Sequence, residues 1–203
     1  MTFKKYHPPH IYLDDREYFI TAGTFDAKSL LSSDEQKGVL RDILKEKIQA
    51  FSIKLYAWVI LDNHYHLLMR ITQKETLDKF LQHLHGASSF RLNQRDRCRG
   101  RRVWRNYWYR CPRSEKDFYT FFNYIHINPI KHGKVALRDG VILKGEEQIA
   151  IPRARMVDLH DALSQYEFSS YPYYLRKNGK EGMNHVWIDY PVVDHLTGDD
   201  FPD

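Results

Sequence analysis

Between Ile53 and Ile71 the chain reads as two β-strands around a tight polar turn, and the first strand is apolar on both parities. Ile53, Leu55, Ala57, Val59 and Leu61 alternate with Tyr56, Trp58 and Ile60, and the return strand runs from His64 to Ile71. Successive strand side chains point to opposite faces. A central hairpin apolar on both sides must be covered on both sides, which excludes a sheet with one face in water. Asp62-Asn63 is expected to be a two-residue hairpin connection, because Asp and Asn tolerate positive φ. His64 and His66 then share a face, their Cα atoms roughly 6.5 Å apart at a rise of about 3.3 Å per residue. That spacing lets two imidazoles converge on one metal ion. It equally suits two half-buried polar residues on a sheet, so a third ligand and a reactive group elsewhere must decide.

The flanking pattern supplies the cover. Glu17 to Phe25 is rich in β-branched and aromatic residues and reads as a first strand. Ser33 with Gln36 makes a capping box, followed at helical spacing by Val39, Leu40, Ile43, Leu44, Ile48 and Phe51. Thr72 with Glu75 is expected to cap a second helix, with the stripe Leu77, Phe80, Leu81, Leu84, Ser88 and Leu92. Val103 to Arg110 can form a fourth strand, and Ser114 with Asp117 opens a third helix. The order β-α-β-β-α-β plus a helix is that of an α+β, ferredoxin-like antiparallel sheet. The first two helices cover one face, and the third is the natural cover for the other.

That third helix carries Phe118, Phe121, Phe122 and Ile125 as its apolar stripe. At about 100° per residue, Tyr124 and Asn128 form an i, i+4 pair on the edge of the buried face. Pro129 is expected to end or kink the helix at Asn128. A hydroxyl and an amide oxygen would thus stand side by side at a helix end. A boundary tyrosine and an asparagine cap would look the same. His83 and His85 repeat the His-x-His spacing on a helical pattern, where the rings lie roughly 200° apart and cannot share an ion. His126 is expected to be peripheral, and His132, His160, His185 and His195 have no evident partners.

Charge placement points to the partner. The net charge is +5, yet Arg91 to Arg113 holds nine arginines and one acid, Asp96, so that segment is +8 and the remainder sums to −3. Trp104, Tyr107, Trp108 and Tyr109 interleave with the arginines. Guanidinium groups take phosphates and rings stack on unpaired bases, a footprint for nucleic acid rather than for a neutral metabolite. A solvated charge run is the bland alternative. No apolar run approaches the roughly 18 residues a membrane helix needs. Met1 to His10 lacks the apolar stretch of a secretory signal. Cys98 and Cys111 have no zinc spacing and read as reduced thiols. A cytoplasmic location without membrane contact is therefore expected.

Beyond Gly133 periodicity fades. Val141 to Ile151 is strand or loop, and Tyr166 to Leu175 is an aromatic-rich docking segment. Asp189 to Asp203 holds five Asp and no Lys or Arg, either a solvated end or a strap competing with DNA for the basic segment. The division expected is a core over 1–140 and an extension over 141–203, packed on the core and ending in this acidic tail.

His64-Tyr65-His66 after Asp62-Asn63, followed by Tyr124-Ile125-His126-Ile127-Asn128-Pro129, resembles the single-tyrosine HUH transposases of the IS200-like type, and within them the REP-associated tyrosine transposase branch. Pro8 to Asp15 and Phe168-Ser169-Ser170-Tyr171 resemble segments of that branch, so the likeness runs over about residues 6–176. It implies a transposase that nicks and joins single-stranded DNA beside hairpins, with no small-molecule cofactor. It implies Mg²⁺ or Mn²⁺ on His64, His66 and Asn128; relatives outside the branch often carry glutamine at the last position. It places the nucleophile at Tyr124, giving a 5′-phosphotyrosine and a free 3′-hydroxyl. Taken with the basic segment, it makes Arg91, Arg95, Arg99, Arg101, Arg102, Arg105 and Arg113 candidate DNA contacts. Family members include monomers and dimers, and a monomer is favoured over a homodimer. The rival readings are a non-catalytic nucleic-acid binder on the same sheet and a replication initiator or relaxase. Short length and a single candidate tyrosine count against the last.

Overall fold

The computed structural model describes residues 13–137 and 156–192. Four strands, β1 (Arg16–Thr24), β2 (Lys54–Ile60), β3 (His64–Ile71) and β4 (Trp104–Arg110), form one sheet in the order β2-β3-β1-β4. Every pairing is antiparallel. With α1 (Asp34–Ala50) between β1 and β2 and α2 (Lys74–Arg95) between β3 and β4, this is the ferredoxin-like arrangement the pattern predicts.

Alternation along β3 divides the molecule. Tyr65 faces α2, where its hydroxyl meets His85 Nε2 at 2.7 Å. His64 and His66 face the other way, toward α3 (Glu115–Lys131), which packs on β2 and β3. Both sides of the hairpin are covered, so β3 is buried at seven of its eight positions.

Local signals explain most boundaries. Gln36 and Ser33 exchange both bonds of the capping box at the start of α1, at 3.2 and 3.1 Å. All six residues of the expected α2 stripe, Leu77, Phe80, Leu81, Leu84, Ser88 and Leu92, are buried. Ser114 caps α3 through the Asp117 N–H at 3.1 Å.

Three local expectations fail for physical reasons. Thr72 and Glu75 form no capping box, because α2 begins at Lys74, whose N–H donates to Asp14 Oδ1 at 2.8 Å from the chain leading into β1. Neither Asp62 nor Asn63 takes positive φ. The connection closes through the Leu61 N–H to the His64 carbonyl and is held from outside, by Leu31 N–H on the Asp62 carbonyl and Thr24 N–H on the Asn63 carbonyl, each at 2.8 Å. Pro129 does not stop α3, which continues to Lys131 with His132 as its C-cap. The proline removes one N–H, the donor to the Ile125 carbonyl, without breaking the turn.

After α3, two helices, α4 (Met156–Ser164) and α5 (Tyr171–Asp189), pack against one another and against α3. The segment before α5 lines the free edge of β2: Ile60 N–H donates to the Phe168 carbonyl at 2.8 Å and Ser170 N–H to the Trp58 carbonyl at 2.9 Å. Tyr166 adds its hydroxyl to the Ile60 carbonyl at 2.6 Å. This covers a sheet edge that would otherwise pair with another chain. With β2 and β3 on one side of α3 and α4 and α5 also packed on it, residues Thr120 to Ile130 are all buried, and Tyr124 and Asn128 lie inside the molecule rather than on an edge. Val141 to Ile151, the opening Pro8 to Tyr12, and the tail from residue 193 lie outside the described residues. Cys98 and Cys111 are free thiols.

Candidate active site

The site lies where the start of β3 meets the second half of α3. His64 and His66 are fully buried, with ring centres 4.9 Å apart. Each is oriented through Nδ1. Thr21, opposite His66 on β1, places its hydroxyl 2.8 Å from His66 Nδ1. Asn63 Oδ1 lies 2.7 Å from His64 Nδ1, and Asn63 Nδ2 donates to the Ala27 carbonyl at 3.2 Å. The second bond fixes the amide, so its oxygen faces the ring and His64 Nδ1 must carry the proton. Neutral His64 therefore presents a lone pair at Nε2, a buried atom, as His66 Nε2 also is. Burial, the neighbouring charges of His132 and Lys131 and, for His64, the adjacent His66 hold both imidazoles well below their ordinary value. They are neutral at pH 7, the form that ligates a cation.

Opposite them stand the two residues of α3. The Tyr124 ring lies 5.4 Å from His66 and 5.8 Å from Phe19, edge-on to both. Asn128 Nδ2 donates to the Tyr124 carbonyl at 2.6 Å. Its Oδ1 is buried without a hydrogen-bond partner among the described residues, and the side chain is near enough to His66 to favour that imidazole's protonated form. The structure thus brings His64, His66, Asn128 and Tyr124 together. Two imidazole nitrogens and one amide oxygen suit a divalent ion of the first row or magnesium, which takes nitrogen and oxygen donors and keeps open positions for substrate. Among the described residues no three His, Cys, Asp or Glu side chains gather to hold a metal; the Asn128 amide oxygen is a further buried donor atom in the same place as the two imidazoles.

Four participants lay outside the sequence reading. Thr21 and Asn63 orient the histidines. Lys131, at i+7 from Tyr124, places its ammonium 4.6 Å above the tyrosine ring. His132, expected to have no partner, has its ring 4.9 Å from that of His64. Seven-residue helical spacing could have flagged Lys131. His126 turns away from the site to Ser170 Oγ at 2.8 Å, and His160 is held by Tyr171 and Asn184 at 2.6 and 2.8 Å. His83 packs on Phe51 while His85 contacts Tyr65, so those two rings diverge.

The basic segment divides between α2, a connection and β4. Arg91, Arg95 and Arg99 are exposed, Arg95 near Glu35 at 3.5 Å. Arg101 is inward, on Asp96 at 2.6 Å and Asn93 at 2.8 Å. Arg102 is exposed yet lies over the Phe25 ring at 4.7 Å. Arg105 sits half-buried on β4, and Arg113 is exposed before α3. The connection enters β4 at the sheet end that holds the His64 turn, since Phe25 N–H bonds the Val103 carbonyl and Thr24 N–H the Asn63 carbonyl, both at 2.8 Å.

These features define a class: a ferredoxin-like core whose His-x-His strand faces a tyrosine helix. The chain belongs to the IS200-like transposase family, whose model matches residues 18–128, and members of that family are DNA-cleaving enzymes. It is 27% identical over 131 residues to the REP-associated tyrosine transposase of Escherichia coli (strain K12), covering 59% of this chain and 74% of that one. A solved REP-associated tyrosine transposase bound to a REP hairpin is alike in fold, with a TM-score of 0.61 at 18% identity, covering 85% of this chain and 86% of that one. Among the described residues no helix is long and apolar enough to cross a membrane.

Proposed function

We propose that this transposase nicks and rejoins single-stranded DNA beside a hairpin, using Tyr124 as nucleophile and one divalent cation held by His64, His66 and Asn128. The observation that carries the reading is the meeting of a phenol, two lone-pair-bearing imidazoles and a buried amide oxygen in one place. The Tyr124 oxygen attacks the scissile phosphorus, a P–O bond to tyrosine forms, and the bond to the 3′ oxygen breaks. The products are a 5′-phosphotyrosine and a 3′-hydroxyl that has taken a proton. One hard phosphoryl transfer becomes two reversible ones, which conserves the bond for rejoining. When bound, Mg²⁺ or Mn²⁺ supplies Lewis-acid polarisation of the phosphate. Lys131 adds fixed positive charge beside the phenol, where negative charge develops. Because Tyr124 is fully buried, DNA binding must open the site before attack.

Hairpin binding is named for the solved relative, and a segment of charge +8 whose connection enters β4 at the sheet end near His64 supports the same substrate here. Arg91, Arg95, Arg99, Arg102, Arg105 and Arg113 then hold phosphates, with Arg101 bracing the connection as well as adding charge. The core over 1–140 acts with the extension over 141–203, as a cytoplasmic monomer.

The test is a nicking assay on a hairpin oligonucleotide with a single-stranded flank, in Mg²⁺ or Mn²⁺, comparing the parent with Tyr124→Phe. A covalent protein–DNA adduct is expected with the parent and not with the variant. An adduct that survives the substitution removes Tyr124 from its role, and tight binding with no adduct on any substrate favours a non-catalytic binder.

A further inference from the structure

We propose that Trp108 is the platform on which an unpaired base beside the cleaved phosphate stacks, an assignment that rests on the single-strand nicking reading above. The sheet register carries it. Thr21 pairs with His66 on one side and with Trp108 on the other. Residues directly opposite in antiparallel strands point to the same face, so His66, Thr21 and Trp108 form one row across β3, β1 and β4. The neighbouring row is Leu68, Phe19 and Arg110. At about 4.8 Å between strands, Trp108 stands on the order of 10 Å from His66.

The other aromatics of the basic segment are committed elsewhere. Trp104 is buried and donates Nε1–H to Ser88 at 2.9 Å. Tyr107 and Tyr109 alternate with Trp108 and so face the α1–α2 side, where Tyr107 bonds Asp78 at 2.8 Å and Tyr109 packs on Tyr18. Trp108 alone of the four shares the face of His66. It is half-buried, on a strand beyond the two that α3 chiefly covers.

Its surroundings suit a nucleobase. Phe19 meets the indole edge-on at 6.4 Å and fixes its tilt. Phe19 also stacks on His66 at 5.5 Å, so one ring links the platform to the proposed metal ligands. The Arg110 guanidinium lies 4.7 Å from the indole centre. Positive charge against a π-face, within a segment of charge +8, matches a base carrying its phosphate and disfavours an apolar peptide. Stacking reads no base identity, so the site sets where the strand lies and leaves sequence choice to other groups.

The test walks 2-aminopurine along the single-stranded flank of a hairpin oligonucleotide, in EDTA so that no turnover intervenes. One flank position is expected to be quenched by the parent and by Trp108→Phe but not by Trp108→Ala or Trp108→Leu. An abasic site at that position should weaken parent binding by roughly tenfold, within the range of about 5- to 150-fold that base–aromatic stacking gives. It should weaken Trp108→Ala binding no further. If every position keeps its quench in Trp108→Ala, or if Trp108→Phe loses as much as Trp108→Ala, the platform is overturned. If the parent forms its adduct normally while those failures occur, the nicking reading stands without it. If the parent neither binds nor nicks, both fall.

Discussion

Asn63 Oδ1 accepts the His64 Nδ1–H at 2.7 Å, while the same amide donates to the Ala27 carbonyl at 3.2 Å. Two bonds to one carboxamide therefore choose the tautomer of a proposed metal ligand. Outer-shell partners of this kind typically matter 10- to 100-fold in metal affinity. Asn63→Ala is expected to weaken Mn²⁺ binding about tenfold or more by titration calorimetry, with metal-free DNA affinity unchanged. Equal Mn²⁺ affinities would mean that the turn alone orients His64.

Lys131 invites a kinetic prediction. Its ammonium lies 4.6 Å from the Tyr124 ring centre, and one well-placed charge or donor at a developing anion is worth about 10²–10³ in rate. Lys131→Met should lower the single-turnover nicking rate about 100-fold, with less than a threefold change in DNA affinity. Lys131→Arg should recover part of the rate. A loss confined to affinity would make Lys131 a phosphate anchor instead.

The core was legible because it is periodic. The stripe from Leu77 to Leu92 and the doubly apolar hairpin each allow one placement, and alternation put His64 and His66 on one face. Contacts distant in sequence were not legible. Nothing near Lys74 reveals that Asp14, sixty residues earlier, caps α2. The far side of α3 is covered by α5, whose last turn is tied to α3 by Asn123 Nδ2 on the Val186 carbonyl at 2.9 Å. Reading Pro129 as an end or kink at Asn128 hid the final turn of α3, and with it Lys131 and His132. The interleaved aromatics looked equivalent in the sequence, and strand parity assigns Trp108 and its two tyrosine neighbours to opposite faces.

A carboxylate braces the two halves of the site. Asp62, two residues before His64, pairs with Lys37 of α1 at 3.1 Å and with Lys134 beyond α3. Burial pushes its carboxyl up, but hydrogen bonds from Lys134 and Lys37 outweigh that and hold it below the usual carboxylate range. Lys37 is only 4% exposed, so neutralising Asp62 strands a buried cation. Full burial of such a pair would cost several kcal/mol; with Asp62 a quarter exposed, Asp62→Asn should cost about 2 kcal/mol. For a chain of this size that lowers Tm by roughly 4–8 °C in a calorimetric scan. Adding Lys37→Met to Asp62→Asn should restore much of the loss. A double variant no more stable than Asp62→Asn would count against the stranded-charge explanation.

A buried neutral histidine makes the fold sensitive to acid. Burial pushes His126 down to about 3, against about 6.5 for an unfolded imidazole. Between those values the unfolded chain binds a proton that the folded chain does not, so stability rises with pH across this window. The contribution is fully present above about pH 6.5 and is lost as pH falls, by roughly 1.4 kcal/mol per pH unit, until the folded group itself titrates. Lys131 and other surface cations leave this sign unchanged, because His126 faces Ser170, Phe122 and Tyr171 on the side of α3 away from the proposed metal ligands. His126→Gln is therefore expected to lower stability at pH 7 yet flatten its decline between pH 6 and 4, measured by urea unfolding at each pH. Parallel curves for parent and variant would place the proton uptake on other groups.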